Sequence, residues 1–374
     1  MQILIINSYY NIKPLFPIFE ELSNKDHSLC FLSHDSRLIK LALEKKYPAQ
    51  KIRAHQQPAT LLAILLIVFL PLTLVYGFFA ILYYKLKKKT NTIIYFNWFE
   101  KIIYTIPAKL LKIKNIWLFL PETETNNLNI GLQKIIKLSS QLATVIVFNQ
   151  KTKDKINKLI SLKSVIKVIP LGIKNNHERQ ENIFEELSKA EHAEGAKKYF
   201  TIGTAVELNK NQNIEMLFHA IEKCISVLPN LQLIIIGDGE ERKTLSWLAK
   251  KMNIENITWF VGEQKFPRKW LDNFDIFVST SRELHLADIE ITLTAMKANL
   301  PIIGFWNTGI DDLISTNNNG KIIEKEDSEL LADEIINLYK HKVLCHKLGE
   351  AAKFQVDKNY NLDTMVDTLL AVLK

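Results

Sequence analysis

Eleven short, largely apolar runs of five to seven residues punctuate this chain. The first series is QILII (2–6), TIIYF (92–96), IWLFL (116–120), TVIVF (144–148) and VIKVI (165–169). The second is FTIGTA (200–205), LQLIIIG (231–237), ITWFVG (257–262), IFVST (276–280), PIIGF (301–305) and KIIEK (321–325). Such runs read as strands buried on both faces, and the amphipathic stretches between most of them read as helices. Alternation of this kind predicts parallel sheets with right-handed crossovers. The polar, helix-rich segment 174–198 parts the two series, and Pro170 and Gly172 in PLGIKNN (170–176) close the first. The fold class is therefore α/β, with two Rossmann-like domains. The expected divisions are 1–170, a linker and helical segment at 171–198, a second domain at 199–355, and a terminal helix at 356–374.

One stretch breaks the alternation. Residues 59–84, ATLLAILLIVFLPLTLVYGFFAILYY, carry no formal charge over 26 positions, and four lysines follow within 85–89. Because 2–6 and 92–96 are expected in one sheet, the chain must return to the same side of any bilayer. Pro71 also splits the run into arms of 12 and 13 residues. At ~1.5 Å per residue each arm reaches about 18–20 Å, short of a ~30 Å hydrocarbon core. The pattern predicts a monotopic helical hairpin in one leaflet, with Lys85, Lys87, Lys88 and Lys89 among anionic headgroups. A helix pair packed inside the first domain and a true span are the alternatives that hydropathy leaves open.

Composition narrows the classes. At 374 residues the chain has room for two full cores, and 47% hydrophobic with 24% charged residues is the balance of a folded protein. A net charge of +8 suits anionic partners, such as phosphorylated substrates or acidic lipids, or simply a solvated surface. The lysines are dispersed without an aromatic stacking platform, which argues against nucleic acid as a partner. Cys30, Cys224 and Cys345 stand far apart without metal-type spacing, as unpaired thiols in a reducing compartment do. QILII at the start reads as a strand, so no secretory leader is expected.

The chemistry concentrates in the second series. In LIIIGDGEERKTL (233–245) a buried strand runs into Gly237-Asp238-Gly239 and an acid-rich helix start. A helix N-terminus offers free amides to an anion, but Arg242 occupies the third glycine position of the dinucleotide fingerprint. Alone, the motif is either a structural turn or an anion site. Around it lie IGTAVELNKNQNIEMLFHAI (202–221), WFVGE (259–263), FDIFVSTSRE (274–283), TAMKANLPIIGFWNTGIDDLI (294–314) and NNNGKII (317–323). In this order and spacing, over 199–336, the set resembles the retaining glycosyltransferases of family 4 (glycosyl transferases group 1), which have the GT-B fold. KVIPLGI (167–173) resembles that family's linker, and NYNLDTMVDTLLAVL (359–373) resembles its last helix, which packs back on the N-terminal domain. Residues 1–165 match in outline only.

The resemblance implies two sheets facing a central cleft, with a nucleotide sugar held chiefly by the second domain and the acceptor by the first. The leaving group is a nucleoside diphosphate, so such a site must stabilise growing negative charge and exclude water. The family needs no metal or cofactor, and no Asp-x-Asp metal signature occurs here. Several matched positions depart from the family. Its Arg and Lys diphosphate clamp falls on Glu207 and Gln212, with Lys210 close enough to substitute through its flexible stem, or merely solvated. Its two acidic positions fall on Glu283 and Thr294, set eleven residues apart instead of eight, with Glu290 one helical turn before Thr294. Asn307, Thr308 and Gly309 match the loop whose amides meet the phosphates, and Glu263 follows the strand where relatives hold the nucleobase. With Gly237 these form the expected donor site.

The first domain is less informative. NSYYNIKP (7–14) lacks the family's glycine-rich turn, and Lys13 is either a phosphate contact or a surface lysine. Pro121-Glu122 stands where relatives often have His-Gly, so Glu122 or Glu124 is the candidate to accept a hydrogen bond from a sugar or acceptor hydroxyl. His285, beside Glu283, is either a phosphate donor or solvated. Glu283 and Glu122 are the catalytic candidates. The function expected is sugar transfer to a lipid-linked or glycan acceptor in envelope polysaccharide, lipopolysaccharide or glycolipid synthesis, at the cytoplasmic face of the cell membrane, with membrane contact through 59–89. The alternatives are a non-catalytic GT-B protein that binds a nucleotide or partner enzyme, and an enzyme acting on free nucleotide sugars.

Overall fold

Two all-parallel sheets, of seven and six strands, organise the described residues. The computed structural model describes residues 1–7, 10–52, 70–123, 130–160, 164–174, 199–264, 267–306 and 309–373. The first sheet comprises β1 (Gln2–Ile6), β2 (Ser28–Ser33), β3 (Ala49–Lys51), β4 (Thr92–Tyr95), β5 (Lys114–Phe119), β6 (Thr144–Val147) and β7 (Ile166–Val168), in the spatial order 3-2-1-4-5-6-7. Between them run α1 (Phe16–Asn24), α2 (Ser36–Glu44), α3 (Leu70–Lys88), α4 (Trp98–Leu110), α5 (Ile130–Ser140) and α6 (Gln150–Asn157). All five apolar runs of the first series lie on strands. Two strands lie outside those runs. In β2, SLCFLS, serines bracket a short apolar centre, and β3, AQK, has no apolar run and is an edge strand registered on β2 (Phe31 opposite Ala49).

The second sheet comprises β8 (Phe200–Ala205), β9 (Leu231–Ile236), β10 (Thr258–Gly262), β11 (Ile276–Ser279), β12 (Ile302–Phe305) and β13 (Gly320–Ile323), in the order 10-9-8-11-12-13. Its helices are α7 (Ile214–Cys224), α8 (Arg242–Lys251), the one-turn α9 (Arg268–Leu271), α10 (Leu286–Lys297), α11 (Ser328–Lys340) and α12 (Lys342–Asn359). A last helix, α13 (Leu362–Leu373), ends the described chain. Residues 1–172 and 362–374 form one compact unit and residues 173–361 the other. Within the first unit, the Gly172 N–H donates to the Met365 sulfur and Lys25 pairs with Asp367 across α1 and α13. Of the helix-rich segment expected at 171–198, residues 175–198 lie outside the described residues.

Each sheet is sealed by its own core. Ile202, Leu233, Ile276 and Ile303 centre the second, and Leu4, Ile93, Trp117 and Val145 centre the first. Burial pushes the thiols of Cys224 and Cys345 up to about 12 and about 11, so both behave as inert core groups. Helix α3 lies along α4: Gly77 lets the backbones close up, since a Cβ there would come within 3.1 Å of the Ile103 Cγ2 and carbonyl oxygen. Pro71 is the second described residue of α3. The hairpin expected over 59–84 is thus described only from residue 70 onward, and there one side of the helix is packed on protein. Among the described residues no helix is long and apolar enough to cross a membrane.

α4 carries charge into the first core. Lys101 is fully buried; its ammonium donates to the Phe96 and Leu118 carbonyls and lies 3.5 Å from the centre of the Phe119 ring. Burial pushes its pKa well below the ordinary lysine range, with neighbouring Glu100 pulling the other way. A lysine whose pKa is lower when folded binds fewer protons there than in the unfolded chain, so stability rises with pH between its folded pKa and the ordinary lysine pKa. Lys101→Met removes this dependence. Urea unfolding from pH 7 to 10 is expected to show wild type gaining on the variant by up to about 1.4 kcal/mol per pH unit. Parallel pH profiles would show that the ammonium keeps its charge in the core.

Candidate functional site

In an open parallel sheet, loops leaving the carboxyl ends of two central strands diverge where the strand order reverses, and ligands bind there. In the second sheet that point lies between β8 and β11, paired through Ile276–Ile202 and Phe277–Gly203. The loop after β8 carries Glu207 and a 3-10 turn at Lys210–Gln212; the loop after β11 carries Thr280 to His285 and enters α10. Sequence places these loops some seventy residues apart. The structure ties them together by the Arg282 N–H to the Asn211 carbonyl (2.9 Å) and by the Asn211 side-chain amide to the Glu283 carbonyl (2.9 Å).

Gln212 is the knot of this arrangement. It is 1% exposed, and its amide nitrogen lies 3.1 and 3.3 Å from the two Asp288 oxygens. Its side-chain oxygen accepts from the Ser281 hydroxyl and its carbonyl from the Thr280 hydroxyl. Asp288 also accepts the His285 N–H at 2.8 Å, which closes the first turn of α10. Burial pushes the Asp288 pKa up and the charge of Glu207 adds to this, while the His285 and Gln212 contacts pull it down. Gln212 therefore holds the wall of the site instead of projecting from it. Lys210 and Glu207 are exposed on the same loop, and Glu283 is half-buried. The Arg282 guanidinium donates to the Lys210 carbonyl (3.2 Å) and pairs with Glu326 at 3.3 Å, an exposed contact of little energetic weight.

The remaining donor-site candidates are distributed around this point. Thr294 turns its hydroxyl to the Glu290 carbonyl of its own helix (2.8 Å), so α10 engages both residues with each other. Gly237 has φ +128°, and a Cβ there would fall 1.8 Å from the Val206 carbonyl oxygen. Its glycine is required because the turn after β9 packs on the loop after β8, an arrangement extended by the Leu208 N–H to the Asp238 carbonyl (2.9 Å). Gly237 also donates to the Gly262 carbonyl (2.8 Å), which places exposed Glu263 one residue beyond that bridge. Gly309 has φ +107° and opens the 3-10 turn Ile310–Asp312, its N–H 3.2 Å from an Asp311 carboxylate oxygen. Asn307 and Thr308 lie outside the described residues.

In the first sheet the order reverses between β1 and β4, and polar residues follow both strands. Asn97 donates to Asn7 (3.0 Å) and Glu100 (3.2 Å), Asn7 to Asn11 (3.5 Å), and Asn11 to Glu122 (3.3 Å). Glu122 therefore ends a chain of amides that crosses this reversal. Lys13 is exposed nearby in sequence, and Glu124 lies outside the described residues. Asp288, Asn7, Asn11 and Asn97 were not singled out from sequence. The available signal was positional: Asn7 and Asn97 each follow directly on an apolar run, where a strand's carboxyl end opens.

Comparisons with known proteins agree with this geometry. Residues 184–355 match the sequence model of the glycosyl transferases group 1. The chain is 26% identical over 197 residues to a poly(ribitol-phosphate) alpha-N-acetylglucosaminyltransferase of Staphylococcus aureus, covering 51% of this chain and 39% of that protein. It is 25% identical to the lipopolysaccharide core biosynthesis glycosyltransferase LpsE of Rhizobium meliloti, covering 42% and 45%. The chain thus matches well under two thirds of the length of these relatives. Among solved structures, a glycosyltransferase of Rickettsia africae superposes with a TM-score of 0.83 at 14% identity, covering 100% of this chain and 97% of that one. Anabaena Alr3699/HepE in complex with UDP-glucose gives 0.74 at 17% identity, covering 100% and 99%. With each sheet reversing its order at a polar strand end and the matched segment enclosing the second reversal, the chain has the GT-B fold, and its segment 184–355 is that of the glycosyl transferases group 1.

Proposed function

We propose that this chain moves a sugar from a uridine diphosphate sugar to a lipid-linked acceptor, with retention at the anomeric carbon, in envelope polysaccharide or glycolipid synthesis. The observation that carries the reading is the order reversal of the second sheet, where the loops bearing Lys210 and Glu283 are bonded to each other within the family-matched segment. The UDP-glucose complex of HepE supports the donor class, and the names of the S. aureus and R. meliloti relatives support an envelope product. The second unit is the donor side and the first the acceptor side, at the cytoplasmic face of a membrane that the chain contacts through 59–89.

In this reading the Lys210 ammonium neutralises the charge that builds on the departing diphosphate, and the amide of Gly309 is a further donor once its Asp311 contact is exchanged. Glu283 accepts from hydroxyls of the transferred sugar, and Glu207, Glu263 and Glu290 lie where ribose and base are held. Glu122, fixed by Asn11, accepts from an acceptor hydroxyl. Asp288 and Gln212 position the Lys210 loop without touching donor.

A non-catalytic nucleotide binder is the second reading, favoured by one observation: Gln212, at the family's lysine position, is buried and engaged at both ends of its amide. Mass spectrometry separates the two. Detergent-purified protein, UDP-sugars and a membrane-lipid extract are expected to yield a lipid heavier by one sugar. No product while UDP still raises Tm identifies the binder, and no product with no UDP effect removes both readings.

Three substitutions test the roles. Lys210→Ala is expected to raise the donor KM roughly 10- to 100-fold, the weight of a charge-assisted hydrogen bond of about 1.5–3 kcal/mol, read by initial rates across donor concentrations. Glu283→Gln is expected to lower kcat by about 100-fold or more while leaving the UDP-induced Tm shift intact. Asp288→Asn places an amide donor against two N–H groups, so the Lys210 loop slackens and donor KM rises about tenfold with a smaller change in kcat. Its folded pKa is raised, so wild-type stability falls as pH climbs above about 4. The asparagine variant lacks that component, which denaturant titration at several pH values reads.

A further inference from the structure

We propose that α3 is an interfacial anchor whose outer stripe lies along an anionic bilayer while its inner side stays fastened to α4. The proposal deepens the membrane contact of the preceding reading, and rests on that reading only for the acceptor it would bring within reach. A helix that is apolar all round belongs either in a core or in lipid, and α3 divides between the two. Its inner side is core: Ile81 and Tyr84 are 1% and 8% exposed, Gly77 abuts Ile103, and the Tyr84 hydroxyl donates to Gln50 of β3. Its outer side is exposed among the described residues. Leu72, Val75, Tyr76, Phe79, Tyr83 and Leu86 are 44–72% exposed.

Those six positions recur at spacings of three and four, and at 100° per residue they fall within about 100° of arc over roughly 21 Å of helix. Such a stripe is continuous, unlike scattered exposed apolar residues, and marks an interaction surface. Two tyrosines within it have the amphipathic rings that favour a headgroup boundary. The packing on α4 prevents this helix from standing upright in a bilayer unless the first unit's core opens, so contact along one side is the arrangement available to it.

Charge selects lipid as the occupant. No Asp or Glu occurs from residue 45 to residue 99, a stretch that holds eight Lys and Arg, so the remainder of the chain has 40 basic and 40 acidic residues. The entire excess of +8 therefore lies in the segment that contains α3. Lys87, Lys88 and Lys89 are exposed at the end of the stripe, Lys87 donating to the Tyr83 hydroxyl at 2.8 Å, whereas Lys85 turns inward to the Leu111 carbonyl. A protein partner is usually met by a polar rim with complementary charge; an acid-free helix with a lysine cluster at one end complements anionic headgroups.

Flotation of the full chain with vesicles tests this, using phosphatidylcholine alone and phosphatidylcholine with one third phosphatidylglycerol. Wild type is expected to float with the anionic vesicles about tenfold more tightly than with the neutral ones at low salt. Combined Val75→Ser, Tyr76→Ser and Phe79→Ser should lose roughly tenfold or more on both, with Tm unchanged because the side chains are exposed. Combined Lys87→Gln, Lys88→Gln and Lys89→Gln should lose only the preference for phosphatidylglycerol. Wild type floating with neither vesicle, or the serine variant floating like wild type, overturns the proposal. So does light scattering that shows wild type dimeric and the serine variant monomeric with equal flotation, since a second copy would then own the stripe. Donor turnover measured in detergent on the same proteins is independent: normal flotation without turnover leaves the anchor standing and removes the enzymatic reading.

Discussion

The amide of Gln212 joins two loops that sequence separates by about seventy residues, and the geometry of the candidate donor site depends on it. A buried amide must find partners for both its ends or pay a desolvation cost of about 1–3 kcal/mol. Here Asp288 takes the nitrogen and Ser281 the oxygen. Satisfying those groups draws the 3-10 turn after β8 onto the first turn of α10, which in turn aligns Lys210 and Glu283 at one strand-end opening. Asp288 is itself buried, and its contacts with Gln212 and His285 offset the penalty for its charge. The position that the family pattern gives to a lysine thus carries a buried amide here, while Lys210, two residues before it, is exposed.

The same economy of buried polar groups shapes the first unit. α4 buries Glu100, Lys101 and Thr105, and the sheet answers with Trp117 donating to the Thr105 hydroxyl (2.8 Å) and Asn115 to its carbonyl (3.1 Å). These contacts hold α4 in one register on the sheet, and α3 inherits that register through Gly77 and Ile81. The result is a helix with a fixed inner side, so its outer apolar stripe is presented as a rigid surface. Segregation of all excess positive charge into 45–99 leaves the rest of the chain electrically balanced.

Much of this was legible in the sequence. The eleven apolar runs all lie on strands because a strand buried on both faces has to be apolar over its whole length, whatever its neighbours. β2 and β3 were not legible, since an edge strand such as AQK is stabilised by backbone pairing and its side chains face water. For the candidate site, Glu207, Lys210, Glu283 and Gly309 were named by register with a family pattern, and Gly237 by its place at a strand end. What that register does not contain is direction. Thr294 matches an acidic ligand position yet turns to its own helix, and Asp288, three residues into α10, matches nothing in the pattern yet anchors the loop opposite.

Sequence alone therefore determined the two α/β series and the apolar segment ahead of the lysines, and named the residue types around the candidate opening, because hydrophobic periodicity and local spacing act over a few residues. Tertiary structure decided which of those residues face outward. Strand order, which places β8 beside β11 and β1 beside β4, is a pairing of segments far apart in the chain. Only that pairing buries Gln212 and joins Asn97 to Asn7. A side chain's exposure follows from what is packed against it, and in this protein the packing partners are seldom its sequence neighbours.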